Sequence, residues 1–217
     1  MNTVEKTDRL LQELVQKYPE LQVCAADIRR AYQILCQTFE KGGKLLVFGN
    51  GGSAADAEHI VGELMKGYRL KRPLPAADRS RLEAAFPGEG QYLSDHLQGA
   101  LPVISLVSQT ALLTAFANDI APEMVFAQQV YGYGRPGDAI LAISTTGRSA
   151  NVVRALQVAK AMGLATIGLS GRNCGAMQEL CDVVICAPED TTTSVQERHL
   201  PIYHTLCAML EDTFFTS

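Results

Sequence analysis

The chain has 217 residues, 47% of them hydrophobic and 19% charged, with 19 Lys and Arg against 23 Asp and Glu for a formal net charge of −4. That is enough apolar material to bury a full core in one globular domain, and it excludes disorder, a collagen repeat and a coiled coil. The acidic balance gives no global attraction for nucleic acid or an anionic membrane. No apolar run reaches the roughly 20 residues needed to cross a bilayer.

Met1 to Gln16 carries acidic residues where a signal peptide has its apolar centre, so a cytoplasmic location is expected. Leu10, Leu11, Leu14, Val15 and Tyr18 recur at helical spacing, and Ile28, Ala31, Tyr32, Leu35 and Phe39 repeat the pattern. The spacing predicts amphipathic helices over 3–18 and 25–41, the second stopped by Gly42-Gly43. KLLVFGN (44–50) reads as a buried strand ending in glycines, with Ser53 as the N-cap of a helix running to about Gly67. LPVISLV (101–107), DAILAIS (138–144), LATIGLS (164–170) and DVVICAP (182–188) are further strand candidates, and helical segments near 121–132, 149–162 and 174–180 separate the later ones. A long helix over 193–215 closes the chain.

Near-continuous apolar strands alternating with helices indicate a parallel sheet covered on both faces. The expected fold is α/β: a doubly wound three-layer sandwich with a five-stranded parallel sheet, a single domain over 1–217 with N-terminal helices at 1–41. Residues 74–100, with Pro75, Pro87, Gly88 and Gly90, break the rhythm and read as an insertion. A solvated excursion with one or two helical turns around Arg79 to Ala85 fits them, and so does a lid or subunit contact. His96 and Asp95 within it read as exposed loop residues. The six cysteines, Cys24, Cys36, Cys174, Cys181, Cys186 and Cys207, form no C-x-x-C pair and are expected to be buried thiols.

In doubly wound sheets ligands bind outside the carboxyl ends of the strands, which directs attention to GNGGS and STTGRS. Ser144, Thr145, Thr146 and Ser149 stand between a strand and a helix, where hydroxyls and free N–H groups can converge on a phosphate dianion. An ordinary capped helix with Ser149 as N-cap is the plainer reading. Asn50, Gly51, Gly52 and Ser53 supply a second close approach of backbone to ligand. Neither turn matches a nucleotide-binding glycine pattern. His59 and Glu63 lie one turn apart on one helix face and can share a metal ion or a proton, although many such pairs are merely solvated. Gln196 and His204 lie about two turns apart in the last helix, and His204, among Ile202, Tyr203, Leu206 and Cys207, reads equally as a satisfied core histidine.

Taken together, GNGGSAADAEHIVGEL (49–64), FANDIAPEMVFAQQV (116–130), GDAILAISTTGRSANVVRAL (137–156), GLATIGLSGRNCG (163–175) and VQERHLPIYHTLCAMLED (195–212) resemble the sugar isomerase (SIS) domain family, within it the phosphoheptose isomerase group. The resemblance covers nearly the whole chain except 74–100 and implies a flavodoxin-like SIS fold. It implies that His59, Glu63, Gln196 and His204 are metal ligands, usually for one zinc per site. Asn50, Gly51, Gly52, Ser53, Asn118, Asp119, Ser144, Thr145, Thr146, Ser149 and Gln196 are by the same token substrate-binding. The implied reaction interconverts sedoheptulose 7-phosphate and D-glycero-D-manno-heptose 7-phosphate through an enediol, feeding heptose synthesis for lipopolysaccharide or another heptosylated glycan. Glu63 is then the base and His204 the acid partner, in a homotetramer whose sites lie between subunits, so that Glu63 and His204 could meet across chains. A Glu bound to zinc is a poorer base, which leaves Glu63 either loosely bound or changing roles.

The sequence departs from the family's S-T-S-G-N-S loop at Thr146 and Arg148, and Gly62 precedes Glu63 in its helix. Two rival readings stand beside the isomerase. One is a SIS isomerase or binder of another phosphosugar, because the cradle reads only one end of the ligand. The other is a non-catalytic protein like the DiaA group, which binds the replication initiator. That group lacks the C-terminal histidine present here as His204.

Overall fold

The computed structural model describes residues 3–215, so the ends of the expected 1–217 span lie outside the described residues. The first two helices form as α1 (Thr3–Lys17) and α2 (Ala25–Glu40), joined by a 3-10 turn at Pro19–Cys24. There follow β1 (Leu45–Gly49), α3 (Gly52–Met65), α4 (Ala76–Ala85), α5 (Gly90–His96), β2 (Val103–Ser105) and α6 (Thr110–Asp119). A 3-10 turn at Pro122–Met124 leads to α7 (Val125–Tyr133), β3 (Ala139–Ile143), α8 (Ala150–Ala161), β4 (Ala165–Ser170), α9 (Met177–Leu180), β5 (Val183–Cys186) and α10 (Thr192–Phe215).

The five strands are all parallel, in the order β2-β1-β3-β4-β5, with β1 and β3 paired from Leu45 opposite Ala139 to Gly49 opposite Ile143. Every residue of β1 and β3 is buried, which is why these strands are apolar without alternation. Leu45, Val47, Leu141 and Ile143 pack on one face with residues of α1, α2, α3 and α10. Leu46, Phe48, Ile140 and Ala142 pack on the other with α7 and α8. These are the three layers expected from the sequence. The chain steps from β1 outward to β2, then returns to build β3 on the opposite side. The connections leaving β1 and β3 therefore diverge, and their carboxyl ends frame a crevice.

Several local expectations are corrected. Gly51, at φ +56°, caps α3 in place of Ser53, which is buried in the first turn. The sequence predicted no helix at 110–119; α6 forms there, burying none of its residues fully but packing Leu113, Phe116 and Ala117 against the core on the α7 and α8 side. Residues 74–100 contain more helix than expected, because α4 and α5 pack on one another as a hairpin. Gly90 permits this contact, since a Cβ there would lie 2.4 Å from the backbone of Leu82 and Glu83. Within the hairpin α4 buries nothing, Arg79 holds Asp95 at 2.6 Å, and both Asp95 and His96 are exposed.

Among the cysteines, Cys24, Cys36, Cys181 and Cys207 are thiols, and burial pushes Cys24 and Cys36 up to about 11 and Cys181 up to about 12. Cys174 and Cys186 depart from the expectation: they are joined, with Cα atoms 6.2 Å apart. The connection after β4 folds back beside the end of β5, a proximity that a spacing of 12 residues does not announce. Among the described residues no helix is long and apolar enough to cross a membrane.

Candidate functional site

The turns leaving β1 and β3 sit side by side at the crevice. Their contact is made by Asn50 and Asn151, whose carboxamides exchange two hydrogen bonds of 2.9 Å. In the second turn Gly147 adopts φ +63° and lies so close to the next loop that a Cβ would stand 1.9 Å from the Cys174 carbonyl oxygen. The turn is thereby pressed into one shape. Ser149 occupies the N-cap of α8, yet its hydroxyl makes no capping bond and lies 3.2 Å from the Ser144 hydroxyl. The N–H groups of Thr145, Thr146, Ser149 and Ala150 have no acceptor among the described residues. Free donors, paired hydroxyls and a helix N-terminus together form a concave site suited to a dianion. Thr145 and Thr146 also line a cleft of about 280 Å³ with Arg148, Arg172 and Asp190. Arg148 itself is exposed.

A buried support lies behind this cradle. His199, fully enclosed, donates from Nε2 to the Ser170 carbonyl at 3.2 Å, and the Ser170 hydroxyl donates to the Ser144 carbonyl at 2.7 Å. Burial brings the His199 imidazole down to about 4, against a weaker opposing effect of the Ser170 carbonyl, so the ring is neutral. Sequence reasoning missed His199 and Ser170, because nothing in their spacing links them to Ser144.

The second cluster joins α3 to α10. His59 Nε2 lies 3.0 Å from Glu63 Oε1, one helical turn away, and 3.4 Å from His204 Nε2, which is 145 residues away in the chain. Ligand atoms of the three all fall within 4.8 Å of one another. Ligands bonded to a tetrahedral zinc at roughly 2.0–2.1 Å stand about 3.3 Å from each other, and the observed separations match that spacing. Two imidazoles and a carboxylate are also a donor set that suits zinc. The expectation that Glu63 and His204 might need neighbouring subunits to meet is corrected, because one chain folds them together. Burial and the adjacent His59 hold the His204 imidazole below its usual range, with Glu63 opposing them. On its far side the His59 ring meets Tyr203, whose hydroxyl is 2.9 Å from Nδ1 and donates to Asp56 Oδ1 at 3.3 Å.

The carboxyl end of α3 is anchored from below. Arg72, with no exposed side chain, donates to the Leu64 carbonyl at 2.8 Å, the Glu63 carbonyl at 3.0 Å and Glu211 Oε1 at 2.8 Å. Glu211, on α10, also accepts the N–H groups of Tyr68, Arg69 and Leu70. Burial alone would raise the Glu211 carboxyl, but those N–H groups and the Arg72 guanidinium outweigh it and hold the carboxyl below the usual range. A cleft of about 440 Å³ beside the histidine pair is lined by Lys17, Tyr68, Arg69, Pro201 and His204, among others.

Gln196, on α10, reaches the turn that follows β1. Its carboxamide covers Gly52, where a Cβ would stand 2.4 Å from Nε2, and eight residues later the same helix delivers His204 to the cluster. Pro201 lies between them and removes one rung of the helix ladder. Asn118 and Asp119 are not brought to either cluster: they sit exposed at the end of α6, the Asn118 amide donating to Asp119 at 2.9 Å. Helix α6 packs chiefly on the 122–124 turn and α7.

A family model described as the SIS domain matches residues 10–79 and 97–171, its break falling within the α4–α5 hairpin. The phosphoheptose isomerase of Campylobacter jejuni is 36% identical over 214 residues, 99% of this chain and 100% of its own length. That of Geotalea daltonii is 40% identical over 188 residues, covering 87% of this chain and 84% of the relative. Among solved structures, phosphoheptose isomerase GmhA from Neisseria gonorrhoeae superposes with a TM-score of 0.71 at 28% identity, covering 97% of this chain and 99% of that one.

Proposed function

The chain belongs to the SIS domain family, and from that membership we propose that it is a phosphoheptose isomerase, interconverting sedoheptulose 7-phosphate and D-glycero-D-manno-heptose 7-phosphate. The observation that carries this reading is the meeting of His59, Glu63 and His204 in a chain that also presents a dianion cradle at the β1/β3 crevice. Relatives matched over nearly their whole length carry the same activity in their names, which supports it further.

In this reading Ser144, Thr145, Thr146 and Ser149 hold the phosphate, while Asn50, Gly51, Gly52, Ser53 and Gln196 flank the sugar. Glu63 takes a proton from the carbon next to the carbonyl and returns it to the neighbouring carbon, passing through an enediol, and His204 moves the proton between the two oxygens. His59, Glu63 and His204 are the residues to hold zinc, with Gln196 as a fourth donor. When bound, the ion supplies positive charge that stabilises negative charge on the sugar oxygens. Asn118 and Asp119, remote within one chain, would reach a substrate through a neighbouring subunit of a homotetramer. The whole of 1–217 acts in this reading as one cytoplasmic SIS domain, with 74–100 as an insertion and lipopolysaccharide-type heptose as the destination of its product.

The test is to measure zinc in the purified protein and follow sedoheptulose 7-phosphate conversion with and without chelator. Turnover that falls on chelation and returns with zinc is expected. Full turnover by Glu63→Gln or His204→Ala overturns the mechanism. Turnover on a different ketose phosphate alone transfers the proposal to another phosphosugar.

A further inference from the structure

Resting on the metal-site reading above, we propose that Tyr203 and Asp56 form a relay that fixes the His59 ring with Nδ1 protonated and the Nε2 lone pair turned toward Glu63 and His204. Tyr203 is thus a positioning residue for the metal centre. The assignment follows from the proton count. An ionised carboxylate only accepts hydrogen bonds, and a phenol has one proton to give. A ring that offers Nε2 to a metal keeps its proton on Nδ1, so in that state the contact of 2.9 Å runs from the ring N–H to the phenol oxygen, and the phenol gives its own proton to Asp56 Oδ1 at 3.3 Å. A neutral imidazole protonated at Nδ1 is unprotonated at Nε2, the form a metal ligand requires.

Tyr203 is 1% exposed and meets His59 edge-on, ring centroids 5.4 Å apart, which holds its hydroxyl in place beside Nδ1. The other oxygen of Asp56 is buried with no partner, which leaves the phenol as its sole hydrogen-bond donor among the described residues. Asp56 and His59 stand three residues apart on α3, while Tyr203 and His204 are consecutive on α10. One helix contact therefore delivers a ligand, its orienting hydroxyl and the terminal acceptor together. The hydroxyl is the only part the relay needs, and Tyr203→Phe removes it while keeping the packed ring.

The experiment compares the full wild-type chain with Tyr203→Phe by zinc competition against a chromophoric chelator. Melting in EDTA serves as the control for folding. The variant is expected to bind zinc about 10- to 100-fold more weakly, the usual cost of losing an outer partner of a ligating histidine, with its metal-free melting temperature nearly unchanged. Nitrogen-15 NMR of the zinc-loaded proteins gives a second readout besides affinity: the His59 Nδ1 proton is expected to be protected from exchange in wild type and to exchange faster with water in Tyr203→Phe. Should the variant melt early, that proton is still read below its transition. Wild-type zinc binding with equal affinity in the variant, or an equally protected Nδ1 proton, overturns the relay alone. A wild-type protein that binds no zinc overturns the metal-site reading as well.

Discussion

The cradle after β3 and the cluster between α3 and α10 are assembled by opposite means. Ser144 to Ser149 form a site from six consecutive residues, whose shape is set by backbone: a left-handed Gly147 against Cys174, and free N–H groups at the start of α8. His59, Glu63 and His204 form theirs from side chains on two helices, and no feature of the backbone between them creates it. A site of the first kind tolerates changes of side chain but not the addition of a Cβ. A site of the second kind depends on particular functional groups and on whatever holds two helices in register.

The sharpest way to test this contrast is Glu63→Gln, which keeps size and packing but removes the base. Its kcat is expected to fall by about 10²- to 10⁴-fold with the melting temperature preserved, as steady-state assays and calorimetry will show. For the cradle the reverse holds. Gly147→Ala adds one methyl group where the Cys174 carbonyl already stands, and the turn must move. Losing two charge-assisted bonds to phosphate weakens binding by about 100-fold or more, read as a rise in KM or in the Kd for inorganic phosphate.

Register between the helices is tested by Arg72→Met, which strands Glu211 in the interior. Breaking such a buried pair costs about 3–5 kcal/mol, measurable by urea denaturation. The pH dependence follows from the same interior groups. His199 has its imidazole lowered from 6.5 to about 4, so the unfolded chain binds a proton that the folded chain does not. Stability is therefore fully present above pH 6.5 and falls toward pH 4, by roughly 3 kcal/mol at 1.36 kcal/mol per unit. Glu211, whose carboxyl is also lowered, adds a further loss as the pH falls below its ordinary value of 4.5. His199→Gln is expected to flatten the first of these slopes, and denaturation midpoints taken across that range will reveal it. Smallest is Ser149→Ala, which removes one cradle hydroxyl and raises KM about tenfold or less.

The same contrast explains what was legible in the sequence. The strands of the sheet announce themselves as short apolar runs, and the two turns as glycines at strand ends, because each is a local pattern. His59 and Glu63 show as a helical pair, but spacing alone leaves His204 a core histidine; the family resemblance, not periodicity, joined it to them. Tyr203, Asp56, Arg72, Glu211 and His199 were invisible as functional residues. Each acts through a partner more than 20 residues away, and each reads locally as an ordinary helix or loop position. Helix α6 was missed because its apolar stripe, Leu113, Phe116 and Ala117, is short and only half-buried, and the exposed Leu112 beside it blurs the period.

That half-covered helix has a consequence for how the protein must be handled. Ten residues are too few to hold helical shape in water unaided, since isolated helices shorter than about 12–15 residues are marginal even in favourable sequences. Leu112 and Ile120 leave it with greasy surface to shed. Under tetrameric assembly the docking of α6, and with it the placement of Asn118 and Asp119, would become a matter of mass action. Specific activity would then decline on dilution and recover on concentration, so that the catalyst's quality depends on its quantity.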